Sequence, residues 1–314
     1  MNGRTKKQHF VPRLYLANFA DDGGQLWTHD SLSGTMRQAK PENTAYETNI
    51  YSPEDDTGTR LDEIEQMLAR IEGRASEILP DLIACRKLDP VQKTDFSYFL
   101  ATMFARSPAQ LRQFAALHGA IANWAGIHGL RYENRRKESE GSISEVDTKL
   151  FDFLANTDNY EMKVDRRVGL MAFQQCDPLA QLMARMTWTY EISDDQELVT
   201  SDNCVFWVSS GPVNLGPYGF GLGHRLAVIP FPINSRLILR LDWLSGADWT
   251  KHLLDKKRAR LANQYQAKHK NRFLYFRTRD DGFRKLGQKY AEPVTQLSAG
   301  VSAPKISVVR KLSQ

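Results

Sequence analysis

The sequence predicts an α+β fold, with N-terminal short strands and a C-terminal antiparallel or mixed sheet flanked by a central block of helices. Three observations lead there. Short β-like runs separated by turn residues occupy the chain before residue 59. Apolar residues then recur at three- and four-residue spacing to about residue 186. After Trp188 the pattern returns to runs rich in β-branched and aromatic residues. Strands and helices segregated in this way argue against a wound βαβ sheet.

Residues 1–8 are polar and read as a flexible basic tip. Pro12 then suits the first turn of a short helix through Phe19, because its missing N–H costs nothing there. Asp21-Asp22-Gly23-Gly24 is a turn, Leu26–Asp30 a strand, and a second strand passage ends near Glu47–Tyr51. Leu61, Ile64, Leu68, Ile71, Ala75, Ile78 and Leu79 line one face of a helix that ends or kinks at Pro80. Asp89 and Pro90 open the next helix as cap and first residue, and it ends around Arg106-Ser107-Pro108. Pro108 to about Leu130 is a third helix, and the charged stretch 131–145 reads as an exposed connection or frayed helix. Helices near 146–156 and 160–186 close the block.

Thr187–Ile192, Glu197–Thr200 and Cys204–Val208 then read as strands. The glycine-rich run 209–224 reads as a mobile loop able to cover a site. Leu226–Pro230 and Ser235–Leu241 are expected strands separated by the prolines, followed by a basic helix over 246–268 and a last strand over 272–277. The expected organisation is one domain over 9–292, helical at about 59–186 and β-rich at about 187–279, with a flexible tail over 293–314.

The composition, 41% hydrophobic and 10% aromatic, excludes a disordered chain. No apolar run is long enough for a membrane helix, and no apolar segment follows the basic N-terminus as in a secretion signal. Cys85, Cys176 and Cys204 lie far apart without a CxxC pair, which fits a reducing cytoplasm better than a disulfide or thiolate-zinc scaffold. The net charge of +5 divides unevenly. Residues 1–13 carry +4, residues 251–279 carry +9, residues 305–314 carry +3, and residues 14–250 carry −11. A basic stripe is an electrostatic footprint for phosphates, although a solvated helix face has the same composition.

Phosphate-loop, H-E-x-x-H, G-x-S-x-G and EF-hand motifs are absent. The most site-like feature is Thr200-Ser201-Asp202-Asn203, a turn between two β-like runs. Asp202 there suits a metal ligand or base, and Ser201 and Asn203 suit phosphate or carbonyl contacts. The same residues also make an ordinary Asx-turn, which spacing alone favours. His9, between the basic tip and an apolar helix start, suits a general base, a metal ligand or a hydrogen-bonded structural residue. Arg106 needs a partner at the end of its apolar helix, either an acid such as Glu65 or Glu72 or an anionic ligand. Lys256, Arg260 and Asn263 share one side of the basic helix.

Together several segments resemble a largely bacterial family catalogued as domain of unknown function 4238. The matching pieces are Gln8-His9-Phe10-Val11-Pro12-Arg13 with Tyr15-Leu16 and Phe19, Glu47-x-Asn49-x-Tyr51, the Glu65 and Glu72 helix, Arg106-x-Pro108, Trp188 and Val199-Thr200-Ser201-Asp202-Asn203. Ile229-Pro230-Phe231-Pro232-Ile233 and Asn263 are similar too, while Cys204 stands where such proteins commonly have proline. The resemblance implies a shared fold and weight on the polar residues, and it carries no reaction.

The functional expectation is a metal-assisted phosphoesterase or nuclease. His9 activates water, and Asp202 holds a divalent ion such as magnesium. Arg13, Arg106, Ser201, Asn203, Lys256, Arg260 and Asn263 hold phosphate. The rival readings are a non-enzymatic nucleic-acid or anion-binding module that uses 251–279, and a protein-interaction component of a multi-gene system.

Overall fold

A computed structural model describes residues 7–52, 62–156, 159–160, 164–213, 220–244 and 246–291. In chain order the elements begin with β1 (Lys7–His9), α1 (Arg13–Leu16), β2 (Leu26–Asp30), β3 (Met36–Ala39) and β4 (Tyr46–Thr48). The helical block is α2 (Glu63–Ile83), α3 (Pro90–Ala105), α4 (Pro108–Ser139), α5 (Glu145–Ala155), α6 (Arg166–Leu170) and α7 (Cys176–Arg185). Then come β5 (Thr187–Ile192), β6 (Thr200–Ser201), β7 (Val208–Ser209), β8 (Ala227–Asn234), β9 (Leu237–Asp242), β10 (Lys251–Leu253), α8 (Lys256–His269), β11 (Phe273–Phe276) and α9 (Asp281–Lys289). The fold is α+β.

Local chemistry accounts for most helix starts. Asp89 accepts the N–H of Val91 at 2.8 Å and of Gln92 at 2.9 Å, and Gln92 Oε1 accepts the Asp89 N–H in return. Ser107 caps α4 by accepting the Gln110 N–H, and Asp255 caps α8 by accepting the Arg258 N–H. These caps satisfy N–H groups that the first helical turn leaves without partners.

The described strands form three sheets. β1 pairs with β4, a five-stranded sheet runs β10-β5-β9-β8-β7, and a four-stranded sheet runs β3-β2-β11-β6. The last joins the N-terminal strands to the C-terminal ones through antiparallel pairing of β2 with β11. The main core lies between the five-stranded sheet and the helices. Fully buried Trp188 and Phe231 meet Phe96 of α3 with ring centroids 6.2 and 6.4 Å apart. Tyr15 stacks on Phe231 at 5.0 Å and donates its hydroxyl to the Pro232 carbonyl.

Several expectations change. Lys7 and Gln8, read as part of the flexible tip, belong to β1, and Gln8 is buried. Residues 1–6 of that tip, the centre of the glycine-rich loop (214–219) and the tail 293–314 lie outside the described residues. The charged stretch after Leu130 continues α4 to Ser139, because charge on a solvated helix face does not break a helix. Residues 204–206 are buried as expected but belong to no described ladder. β8 runs straight through Pro230 and Pro232, which read as breakers. Both pair with β9, while β7 covers only Ala227 and Val228, so the prolines sit where a missing donor costs no ladder bond. The segment expected as one basic helix divides into β10, parallel to β5, and α8.

α9 packs against β2 through Gly287, where a Cβ would run into the ring of fully buried His29. Gly287→Ala is therefore expected to cost about 1–3 kcal/mol through overpacking. Urea denaturation measures this, and an unchanged midpoint would refute the close approach.

Candidate functional site

The turn 201–203 lies beside the junction of α8 and β11. β6 pairs with β11, placing Ser201 opposite Leu274 and Thr200 opposite Tyr275. Asp202 is 1% exposed, and its carboxylate accepts the backbone N–H groups of Asn271, Arg272 and Phe273 at 2.8, 2.7 and 3.0 Å. Ser201 Oγ donates to Gln266 Oε1 at 2.9 Å, and Asn203 Nδ2 donates to the His269 carbonyl at 2.8 Å. Asn263 accepts the Val199 N–H at 2.9 Å and donates to the Glu197 carbonyl at 2.7 Å. Burial pushes the Asp202 carboxyl up to about 6, opposed by the three N–H donors and the charge of Lys270.

These contacts give Ser201, Asp202 and Asn263 structural partners and commit the Nδ2 of Asn203, whose Oδ1 has no partner among the described residues. Both carboxylate oxygens of Asp202 face backbone donors rather than an opening, so the metal-ligand role assigned to it is not supported by this geometry. Asn263 is 3% exposed and faces the chain at 197–199, away from the solvent-exposed Lys256 and Arg260 with which it was grouped. A polar turn of this composition is equally good at accepting backbone N–H groups and at binding ligands. Burial, which sequence spacing does not reveal, makes the choice.

A second polar cluster forms where β1 meets α2 and the end of α3. Arg106 is fully buried at the α3 terminus. Its Nε donates to the Phe10 carbonyl at 3.0 Å and its Nη1 to Glu72 Oε1 at 2.7 Å. Its Nη2 has no hydrogen-bond partner among the described residues. The Arg106 carbonyl accepts the Tyr51 hydroxyl at 2.8 Å. Gln8 ties the cluster together by donating to Ser52 Oγ and Glu65 and accepting the Tyr51 N–H. Asn49 takes a left-handed backbone (φ 54°), which asparagine tolerates, as the chain turns from β4 toward Tyr51.

His9 joins this cluster. Burial lowers its pKa, and the charges of Arg13 and Arg106 lower it further, while a Glu42 backbone hydrogen bond and the Glu72 charge act the other way. Its Nε2 is buried without a partner among the described residues. The imidazole is therefore neutral at pH 7 with Nε2 uncommitted. The structure brings together His9, Arg13 and Arg106 of the expected site, and adds Gln8, Glu65 and Glu72. His9 responds to the charges of Arg13, Arg106 and Glu72 and Asp202 to that of Lys270, while the charges of Arg106 and Asp202 both reach Cys204, so the two polar clusters are neighbours. Glu72 was legible as a partner for Arg106. Gln8 was not, because a three-residue strand has too little alternation to mark its buried position.

Beside this cluster is a cavity of about 400 Å³ between β4, the first turns of α4 and α6. Its walls are mostly apolar, including Ile50, Pro108, Leu111 and Leu170, with Glu47 and Arg112 as the charged side chains. Among the described residues no three His, Cys, Asp or Glu side chains gather to hold a metal ion.

The basic segment is less cationic than its sequence. Arg258 pairs with Glu191 at 2.6 Å, Arg272 grips Asp30 through two bonds at 2.8 and 2.6 Å, and Arg277 pairs with Asp22 at 2.6 Å. Lys270 is buried against the carbonyls of Ala267 and Tyr290. Lys256, Lys257, Arg260 and Lys268 stay exposed on α8, with no described acid paired to them. No helix of the described residues is long and apolar enough to cross a membrane.

Two predictions follow from the turn. Asp202→Asn replaces one acceptor oxygen with a donor facing backbone N–H groups, and should cost about 3 kcal/mol of stability. An unchanged denaturation midpoint would contradict its clamping role. His269, stacked on Phe206 at 4.2 Å, is held down to about 4, first by burial and then by the charge of Lys268. The unfolded imidazole binds its proton more readily, at about 6.5. This stabilisation is therefore complete above about 6.5 and is lost as the pH falls toward about 4. Denaturation across that window should show the decline, and His269→Gln should flatten it.

Neither a curated protein nor a solved structure matches the chain. The family described as "Protein of unknown function (DUF4238)" matches residues 7–280, a span running from β1 through β11 and covering both polar clusters. That match extends over most of the 314 residues, and the chain belongs to the DUF4238 family.

Proposed function

We propose that the protein is a hydrolase acting on a phosphate-bearing ligand, with its reacting groups at His9, Glu72 and Arg106. The observation that carries this reading is the meeting of an uncommitted neutral imidazole with a buried guanidinium whose Nη2 has no partner. In this reading His9 Nε2 takes a proton from the attacking water. Arg106 Nη2 donates to a non-bridging phosphate oxygen as negative charge builds there. Glu72, already fixed by Arg106 Nη1, offsets the positive charge that His9 acquires. Arg13 is exposed and acts electrostatically on His9, which suits a second contact to phosphate. Asp202 serves as scaffold. A divalent ion such as magnesium would draw mostly on water and phosphate oxygens, as that ion commonly does.

Turnover of a phosphoester panel that includes single- and double-stranded nucleic acid, with and without magnesium, tests this. His9→Gln should lower kcat by about a hundredfold or more, as loss of a general base does. The wild-type rate should fall on the acid side, as His9 becomes protonated. Full activity in His9→Gln and Arg106→Lys, or no turnover of any phosphoester, would sink the proposal.

A second reading is favoured by the un-neutralised cations of α8. Lys256, Lys257, Arg260 and Lys268 would hold a nucleic-acid backbone, with or without chemistry at His9. Changing Lys256 and Arg260 to Gln should weaken nucleic-acid binding evenly across sequences and reduce its salt dependence. Binding insensitive to both changes and to salt would instead favour a protein partner.

A further inference from the structure

We infer that α9 is an acid-released cover of the four-stranded sheet, docked against the ring of His29 in a way that accommodates only the neutral imidazole. His29 of β2 is fully buried. A Cβ at Gly287 would stand 2.3 Å from His29 Nδ1 and 2.6 Å from its Cε1, so the ring edge lies directly against the backbone of α9. Both ring nitrogens are buried without a hydrogen-bond partner among the described residues. Enclosing a neutral ring in this way leaves one N–H and one lone pair unused. A protonated ring would bring two donors and a full positive charge into the same space, with nothing there to receive them.

The groups around the ring oppose its protonation. Lys270, the C-terminal cap of α8, is itself buried and donates to the carbonyl of Tyr290, the C-terminal cap of α9. Arg284 belongs to α9, where it pairs with Asp281 at 3.4 Å. Burial first, then the charges of Lys270 and Arg284, lower the His29 pKa, and Asp30 acts the other way. Both Asp30 carboxylate oxygens are already engaged by Arg272, at 2.8 and 2.6 Å. The residues opposite His29 on the neighbouring strands, Met36 of β3 and Leu274 of β11, are apolar. Otherwise α9 is held by apolar contact, with Phe283 in a cluster with Val199, Ala267, Leu274 and Phe276, and Leu286 packed against it. The docked ring thus binds its proton less readily than a released one, at about 6.5. Docking is complete above about 6.5 and weakens as the pH falls below it. His9, Glu72 and Arg106 take no part, so the inference does not depend on the hydrolase reading.

Hydrogen exchange of the full chain tests the inference, followed in α9 with α3 as internal reference and corrected for the intrinsic pH dependence of exchange. Between about pH 7.5 and about pH 5, exchange in α9 should rise relative to α3, by up to about tenfold per pH unit below about 6.5. His29→Phe and His29→Gln take up no proton and should abolish the rise, whereas His269→Gln should keep it. The wild-type chain supplies a second measurement that needs no variant to fold. By NMR its His29 ring should titrate below the ordinary histidine value, in step with the rise in α9 exchange. Unchanged protection of α9 over this range, a rise shared equally by α3, a rise that persists without His29, or titration of His29 at or above the ordinary value would overturn the inference. No phosphoester enters these measurements, so their outcome is separable from that of the hydrolase assay.

Discussion

The Asp202 carboxylate is the contact on which the two ends of the chain come to depend. It holds three successive N–H groups where α8 gives way to β11, and β11 is the strand that joins β2 to β6. Without an acceptor there, three buried donors would lose their partners at once, at about 1–3 kcal/mol for each unsatisfied group. The neighbours reinforce it. Ser201 and Asn203 bind the last turns of α8, Asn263 binds the chain before β6, and Arg272 bridges to Asp30 of β2. A run of polar residues in the middle of an apolar chain thus becomes the seam between the N-terminal strands and the C-terminal helix.

Arg106 supports the other half of the molecule by a related device. A buried guanidinium is costly unless its hydrogens are used, and Arg106 spends them on the Phe10 carbonyl and Glu72. Its own carbonyl holds Tyr51, whose N–H rests on Gln8. β1, the chain after β4, α2 and α3 are thereby drawn to one point. The difference from the Asp202 carboxylate is that Arg106 and His9 each keep a polar atom uncommitted among the described residues, as Asn203 Oδ1 also does in the seam. Arg106 Nη2 and His9 Nε2 have no partner, whereas both Asp202 oxygens do. Uncommitted donors and acceptors are what a reaction site offers, and committed ones are what a scaffold needs.

The parts of the fold legible in the sequence are those set by local chemistry. Asp89-Pro90 and Gln92 predict a helix start because a cap acts over three residues. Leu26–Asp30 and Thr187–Ile192 are recognisable strands because alternation and β-branching are properties of the segment itself. The misread parts depend on neighbours. Pro230 and Pro232 would break an interior strand but not one with no described strand along its outer edge at those residues. Gln8 looks like part of a polar tail until β4 pairs with it opposite Glu47.

Fold class and a small set of suspect polar residues were legible in the sequence, which left Arg106 open between Glu65, Glu72 and an anionic ligand; folding selects Glu72. The sequence by itself also determined the overall charge imbalance, because composition needs no geometry. Which suspects are free to act was decided only in three dimensions. Asp202 and His9 are both polar residues next to apolar segments, and nothing in their spacing says which is free to act. Burial and hydrogen-bond saturation do, since Asp202 is enclosed by backbone donors and His9 keeps one nitrogen uncommitted. The same holds for the basic segment. Its +9 is a fact of composition. Acids distant in sequence, Asp22, Asp30 and Glu191, are brought against it by folding and leave Lys251, Arg279 and the exposed cations of α8 without a described acidic partner.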